Sequence, residues 1–95
     1  MTPEEKLTAL RCEIADLDRS LVRLLGQRLR LAARIGRLKK RLELPVVNHT
    51  LEKDITARHQ RWANRMGVSP LLVKKIFQAV MAESVTLQKK IKRNS

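Results

Sequence analysis

Residues 7–42 read LTALRCEIADLDRSLVRLLGQRLRLAARIGRLKKRL, a proline-free stretch with an apolar residue at a fixed beat. Leu7, Leu10, Ile14, Leu17, Leu21, Leu24, Leu31, Ile35, Leu38 and Leu42 alternate spacings of three and four. That is the heptad seam of a helix that packs along another helix. A single slot in the register is not apolar: position 28 holds Arg28. Upstream, Thr2-Pro3-Glu4-Glu5 reads as N-cap, N1 proline and capping-box Glu. Downstream, Leu44-Pro45 stops the helix, because the residue before proline is pushed out of the α region.

The rest of the chain carries two more helix signals. Asn48 is an N-cap for a middle helix, and Gly67 followed by Ser69-Pro70 reads as C′ glycine, N-cap and N1 proline. The expected helices are therefore about 3–43, 49–66 and 70–91. A helix of about 40 residues is roughly 60 Å long, whereas a compact monomer of 95 residues has a radius of gyration of only about 12 Å. The remaining residues cannot cover such a seam, and a second copy running antiparallel is the simplest partner. The expected fold is all-α, three helices with a long first helix, forming an intertwined, antiparallel helical homodimer. Residues 1–95 make one domain.

Composition narrows the function classes. Three Gly and three Pro are too few for an all-β fold, which needs a turn every eight to twelve residues or so. The lone Cys12 excludes an intrachain disulfide and a cysteine-based zinc cage. No apolar run approaches the roughly 18 residues of a membrane span, and no signal-peptide core follows the N-terminus. A soluble, cytoplasmic helical protein is expected. Lys and Arg number 21 against 9 Asp and Glu, a net charge of +12. Such a balance suits either a nucleic-acid-binding face or a pocket for a small dianion.

Polar residues at seam positions favour the pocket, so the expected partner is a small molecule and no specific nucleic acid. Lys39 follows Arg28 by 11 residues, about three turns on and roughly 16 Å along the same face. Ala32 and Gly36 lie between them and leave space beside the helix, unless Arg28 simply pairs with a core acid. On the third helix Val73, Ile76, Phe77, Val80, Leu87 and Ile91 form the apolar stripe, with Ser84 and Gln88 beside it. The plainer alternatives are a Ser84 bonded back to its own helix and a Gln88 facing water. Glu52 sits in the first turn of the middle helix, where the helix dipole alone would also favour it. Arg11 is about 25 Å from Arg28 along the helix, too far for one small ligand, but an antiparallel partner would bring it to the other subunit's site. Three cations, one acid, one hydroxyl and the amides of Asn48 and Gln88 suit a small dicarboxylate that carries a hydroxyl.

Other constellations are weaker. His49 and His59 stand ten apart without a third ligand and read as surface histidines, so no metal site is expected. Cys12 reads as a packing residue, and Trp62 as a core anchor because base stacking needs several aromatics.

These residues resemble the all-helical chorismate mutases, most closely the mutase domain fused to prephenate dehydratase in bacteria. The likeness lies in Leu10-Arg11, Ile14, Asp18, Leu24-Leu25, Arg28, Leu31-Ala32, Gly36, Lys39, Pro45-Val46, Glu52, Ile76-Phe77 and Ser84 with Gln88. It spans essentially the whole chain. The resemblance implies a homodimer that converts chorismate to prephenate by a Claisen rearrangement, with no cofactor and no metal. It further implies that Arg28 and Arg11 of the partner subunit clamp the two carboxylates. Lys39 and Gln88 would donate to the ether oxygen, Glu52 hold the ring hydroxyl, and Ser84 help seat a carboxylate. Asn48 departs from an acid common at that position, and Leu51 from a common Arg. The alternatives are a related mutase or lyase acting on an altered substrate, such as 4-amino-4-deoxychorismate or isochorismate, and a basic helical nucleic-acid-binding protein on the same scaffold.

Overall fold

The structure, a computed structural model, describes residues 1–94. Three helices form: α1 Pro3–Arg41, α2 His49–Met66 and α3 Pro70–Arg93. The chain divides into two compact units, residues 1–30 and residues 31 onward.

The first unit is the opening part of α1. Its start is the capping box anticipated from sequence: the Glu5 amide donates to Thr2 Oγ1 (3.1 Å) and the Thr2 amide to Glu5 Oε1 (3.3 Å). Two of the orphan donors at a helix N-terminus are thereby satisfied. The seam residues of this unit lie open, with Leu10 57% and Leu17 70% exposed.

The second unit holds the remainder of α1 with α2 and α3. Asn48 Oδ1 accepts from the Leu51 amide and Ser69 Oγ from the Leu72 amide, so both anticipated N-caps form. Helices α2 and α3 are joined by a tight turn and run antiparallel, fastened by His59 stacked on Phe77 with ring centroids 3.8 Å apart. Gln60 Nε2 adds a bond to the Pro70 carbonyl. The end of α1 runs parallel to α3, since Ala32 and Lys39 meet Gln88 while Lys40 reaches Ile91 and Asn94. Among the described residues the buried apolar ones are small, namely Ala32, Val46 and Ala63.

Several expectations need correction. His59 is not a surface histidine but a buried one, placed by its ring contacts. Trp62 is 44% exposed, with Arg58 over its ring, and is no core anchor within this chain. The first helix ends at Arg41 and not at 43, while the third continues to Arg93.

The early end of α1 has a backbone cause. The Leu44 amide bonds back to the Lys39 carbonyl and the Glu43 amide to that of Lys40, the paired bonds of a Schellman motif. The motif needs a left-handed residue at C′, and Glu43 takes it with φ 55°. At the end of α2 the same motif uses Gly67, φ 68°, which has no Cβ to strain. A left-handed non-glycine residue costs about 1–2 kcal/mol, and glycine's greater freedom in the unfolded chain offsets about half of that. Glu43→Gly is expected to stabilise the protein by about 0.5–1 kcal/mol. An unchanged or lower urea midpoint would show that the left-handed turn carries no strain.

Candidate active site

The second unit brings Lys39 and Gln88 into direct contact. Lys39 Nζ donates to Gln88 Oε1 at 2.9 Å and to the Val46 carbonyl at 2.7 Å. Gln88 is buried, and its Nε2 donates to the Ala32 carbonyl at 2.9 Å. An ammonium only donates and a carbonyl only accepts, so these bonds fix which end of the Gln88 amide is oxygen. Two of the three Lys39 hydrogens are used, as is one of the two on Gln88 Nε2. Each side chain therefore keeps a donor in a fixed place.

Close helix approach makes this possible. A Cβ at Gly36 would lie 2.9 Å from Gln88 Cγ and 3.3 Å from both Gln88 Cα and Cβ. The small residues Ala32 and Gly36 thus admit Gln88 against the α1 backbone. The space expected over them as a ligand gap is filled by that side chain, because its amide has a carbonyl to bond there. The alternative of a Gln88 facing water is excluded by its burial. Gly36→Ala sets alanine's helix preference, about 1 kcal/mol, against an overpacking cost of about 1–3 kcal/mol. Since Gln88 is pinned at both ends and its backbone is also crowded, net destabilisation of about 1 kcal/mol is expected. Calorimetric melting checks this, and a higher melting temperature would show that Gln88 yields freely.

The electrostatics of Lys39 are one-sided. It is half-buried, it donates to two neutral oxygens, and it forms no ion pair among the described residues. A cation withdrawn from water and met only by dipoles is under-compensated, and an anion brought to it gains accordingly.

Glu52 stands on a different wall. It lines a cavity of about 750 Å³ between α2 and α3, with Val47, His49, Thr56, Met81 and Val85 among its neighbours. Its side chain is 35% exposed, and His49 Nδ1 lies 3.9 Å away. His49 is 88% exposed, so that contact contributes little. Lys39, Ser84 and Gln88 are not part of this wall. Ser84 and Gln88 occupy the stripe of α3 next to the one that bears Met81 and Val85. Ser84 is buried and donates to the Val80 carbonyl at 3.0 Å, the back-bonded arrangement weighed from sequence. Asn48 spends its side-chain oxygen on the α2 cap. Arg11 and Arg28 belong to the first unit, Arg11 exposed and Arg28 half-buried.

Sequence reasoning missed His49, Thr56 and Gln78 on the cavity wall. The signal was present for the first two, at three residues before and four after Glu52, which share its helix face. Gln78 could have been found three residues before Met81.

Residues 10–89 match the model of the family described as chorismate mutase type II. The chain is 38% identical over 81 residues to the T-protein of Enterobacter agglomerans, covering 85% of this chain and 22% of that protein. It is 32% identical over 88 residues to the bifunctional chorismate mutase/prephenate dehydratase of Escherichia coli strain K12, covering 93% and 23%. Against the chorismate mutase of Methanocaldococcus jannaschii it is 29% identical over 85 residues, covering 90% and 86%. The chain therefore spans about a quarter of the length of the first two relatives and most of the third.

Proposed function

The chain belongs to the chorismate mutase type II family, and from that premise we propose that it catalyses the rearrangement of chorismate to prephenate as a homodimer. The observation that carries the proposal is the Lys39–Gln88 pair, two donors fixed beside each other with no carboxylate paired to the charge among the described residues. In this reaction one C–O bond breaks as one C–C bond forms, and no proton is transferred. The departing ether oxygen gains negative charge on the way. Donors already in place there favour the transition state over the bound substrate and need no reorganisation when the charge appears. Lys39 supplies the charge, and Gln88 supplies its remaining N–H and holds Lys39 in position.

Glu52 accepts a hydrogen bond from the ring hydroxyl at the cavity wall, and Ser84 helps seat a carboxylate once its hydroxyl turns from the Val80 carbonyl. A dianion needs further cations, and those roles fall to Arg28 and to Arg11 of the partner subunit. Bidentate guanidinium contacts hold the compact conformer in which the reacting carbons meet. Asn48 caps α2 and leaves its amide N–H groups for the ligand. No cofactor or metal enters any of these steps.

Support for the dimer comes from the open seam. Leu7, Leu10, Ile14, Leu17, Leu21 and Leu24 are all exposed in the single chain, a continuous apolar stripe of the kind that marks an association surface. An antiparallel copy covers it with the same residues. None of the described helices is long and apolar enough to cross a membrane.

A bicyclic ether dicarboxylate shaped like the chair-like transition state tests the reading by calorimetric titration. Binding at least about 10²-fold tighter than prephenate is expected, since a site complementary to the transition state prefers its mimic. Equal or weaker binding of the mimic would refute the proposal.

A further inference from the structure

The C-terminal ends of α1 and α3 lie side by side and point the same way. Their two negative poles amount to about one elementary charge together. Lys40 and Lys92 answer that charge, Lys40 donating to the carbonyls of Ile91 and Asn94 and Lys92 to that of Leu44. Five further cations stand at the same end: Arg37 and Arg41 on α1, and Lys89, Lys90 and Arg93 on α3. All five are exposed, and none takes part in an ion pair among the described residues. Helix capping thus accounts for a minor share of the positive charge gathered here.

Two grooves run through this cluster. One of about 560 Å³ is lined by Arg37, Lys40, Arg41 and Lys90 together with Leu87 and Ile91, and another of about 430 Å³ by Lys89, Lys92 and Arg93 with Thr86. No carboxylate lines either groove. Like charges held together repel one another, a cost that a multiply charged anion removes.

We infer that this end of the protein binds the phosphate backbone of a nucleic acid, without regard to base sequence. Five cations spread over two helices and two grooves exceed what one small dianion can meet. On each helix two of them stand four residues apart, a little over one turn and about 6 Å along the axis. Duplex DNA offers one phosphate per roughly 1.7 Å of its axis, dense enough to meet cations at that spacing. An acidic protein is the weaker fit, because protein interfaces are anchored by aromatic or Met side chains in a core poor in charge. Neither groove is lined by any such residue. Without aromatics at this surface, bases have nothing to stack on, and recognition stays on the backbone.

Fluorescence anisotropy with a short labelled DNA duplex of mixed sequence, titrated with the full chain, tests the inference. With five phosphates neutralised, log affinity falls against log salt with a slope of about −4.5, a loss of roughly 10²–10³-fold between about 50 and 200 mM. The triple variant Arg37→Gln, Lys90→Gln, Arg93→Gln is expected to flatten that slope by about three. A control triple, Arg61→Gln, Lys74→Gln, Lys75→Gln, removes the same charge elsewhere and should leave the slope near the parent value. Absence of duplex binding, an equal loss in the control, or tighter binding of a poly-glutamate peptide would overturn the inference. Chorismate turnover on the same preparations separates this surface from the proposed mutase site, since neither triple touches Lys39, Gln88 or Glu52.

Discussion

Replacing Lys39 with Ala is expected to lower kcat/KM for chorismate by about 10²–10³-fold while the protein remains folded. The expected loss is that of a single preplaced donor to a developing oxyanion, about 3–4 kcal/mol of transition-state stabilisation. Three consequences follow from its bonds. Gln88 Oε1 and the Val46 carbonyl lose their donor, which costs some stability and shows as a lower melting temperature. The charge that the proposed mechanism sets beside the breaking C–O bond disappears. Gln88, still bonded to the Ala32 carbonyl, keeps its place but loses half of its restraint. Most of the loss should fall on kcat, because the ether oxygen acquires its charge only in the transition state. Lys39→Ala with near-parent turnover would remove Lys39 from the mechanism, and an effect confined to KM would make it a carboxylate-binding residue instead.

The second large effect concerns assembly. Leu17 and Leu21 lie in the middle of the exposed stripe of the first unit. If a second copy covers them, each contributes about 1.5–3 kcal/mol by burial. Leu17→Glu with Leu21→Glu removes two such side chains from each of two chains, roughly 6–12 kcal/mol per dimer, and adds carboxylates to an apolar seam. That range matches the whole stability of an ordinary domain, about 5–15 kcal/mol. The double variant is therefore expected to be monomeric and largely unfolded by sedimentation equilibrium and circular dichroism, without turnover. A parent protein that is itself a folded monomer, or a double variant as helical and as active as its parent, would exclude the seam as the subunit interface.

Much of this organisation is legible from local chemistry. Thr2 and Glu5 form their reciprocal cap, and Asn48, Gly67 and Ser69-Pro70 mark the helix boundaries, because capping is decided by residues three or four apart. Glu43 is different: nothing in Leu42-Glu43-Leu44 announces a left-handed residue where glycine would normally stand. The burial of His59 depends on Phe77, 18 residues away on another helix, which no local pattern encodes.

The candidate site divides in the same way. Gly36 and Gln88 are each visible as departures from a helical stripe, but that one exists to admit the other emerges only when α1 and α3 are side by side. The sequence pattern groups Glu52 with Lys39 as polar residues near a core. In the folded second unit they stand on different walls, Glu52 facing the α2–α3 cavity and Lys39 facing Gln88 and Val46.

The most direct test is turnover itself: purified protein, dialysed against a chelator, mixed with chorismate, and prephenate measured after acid conversion to phenylpyruvate. Saturable prephenate formation without added metal or cofactor, lost in Lys39→Ala, is the predicted result. No prephenate above the uncatalysed background from a folded, dimeric protein would contradict it.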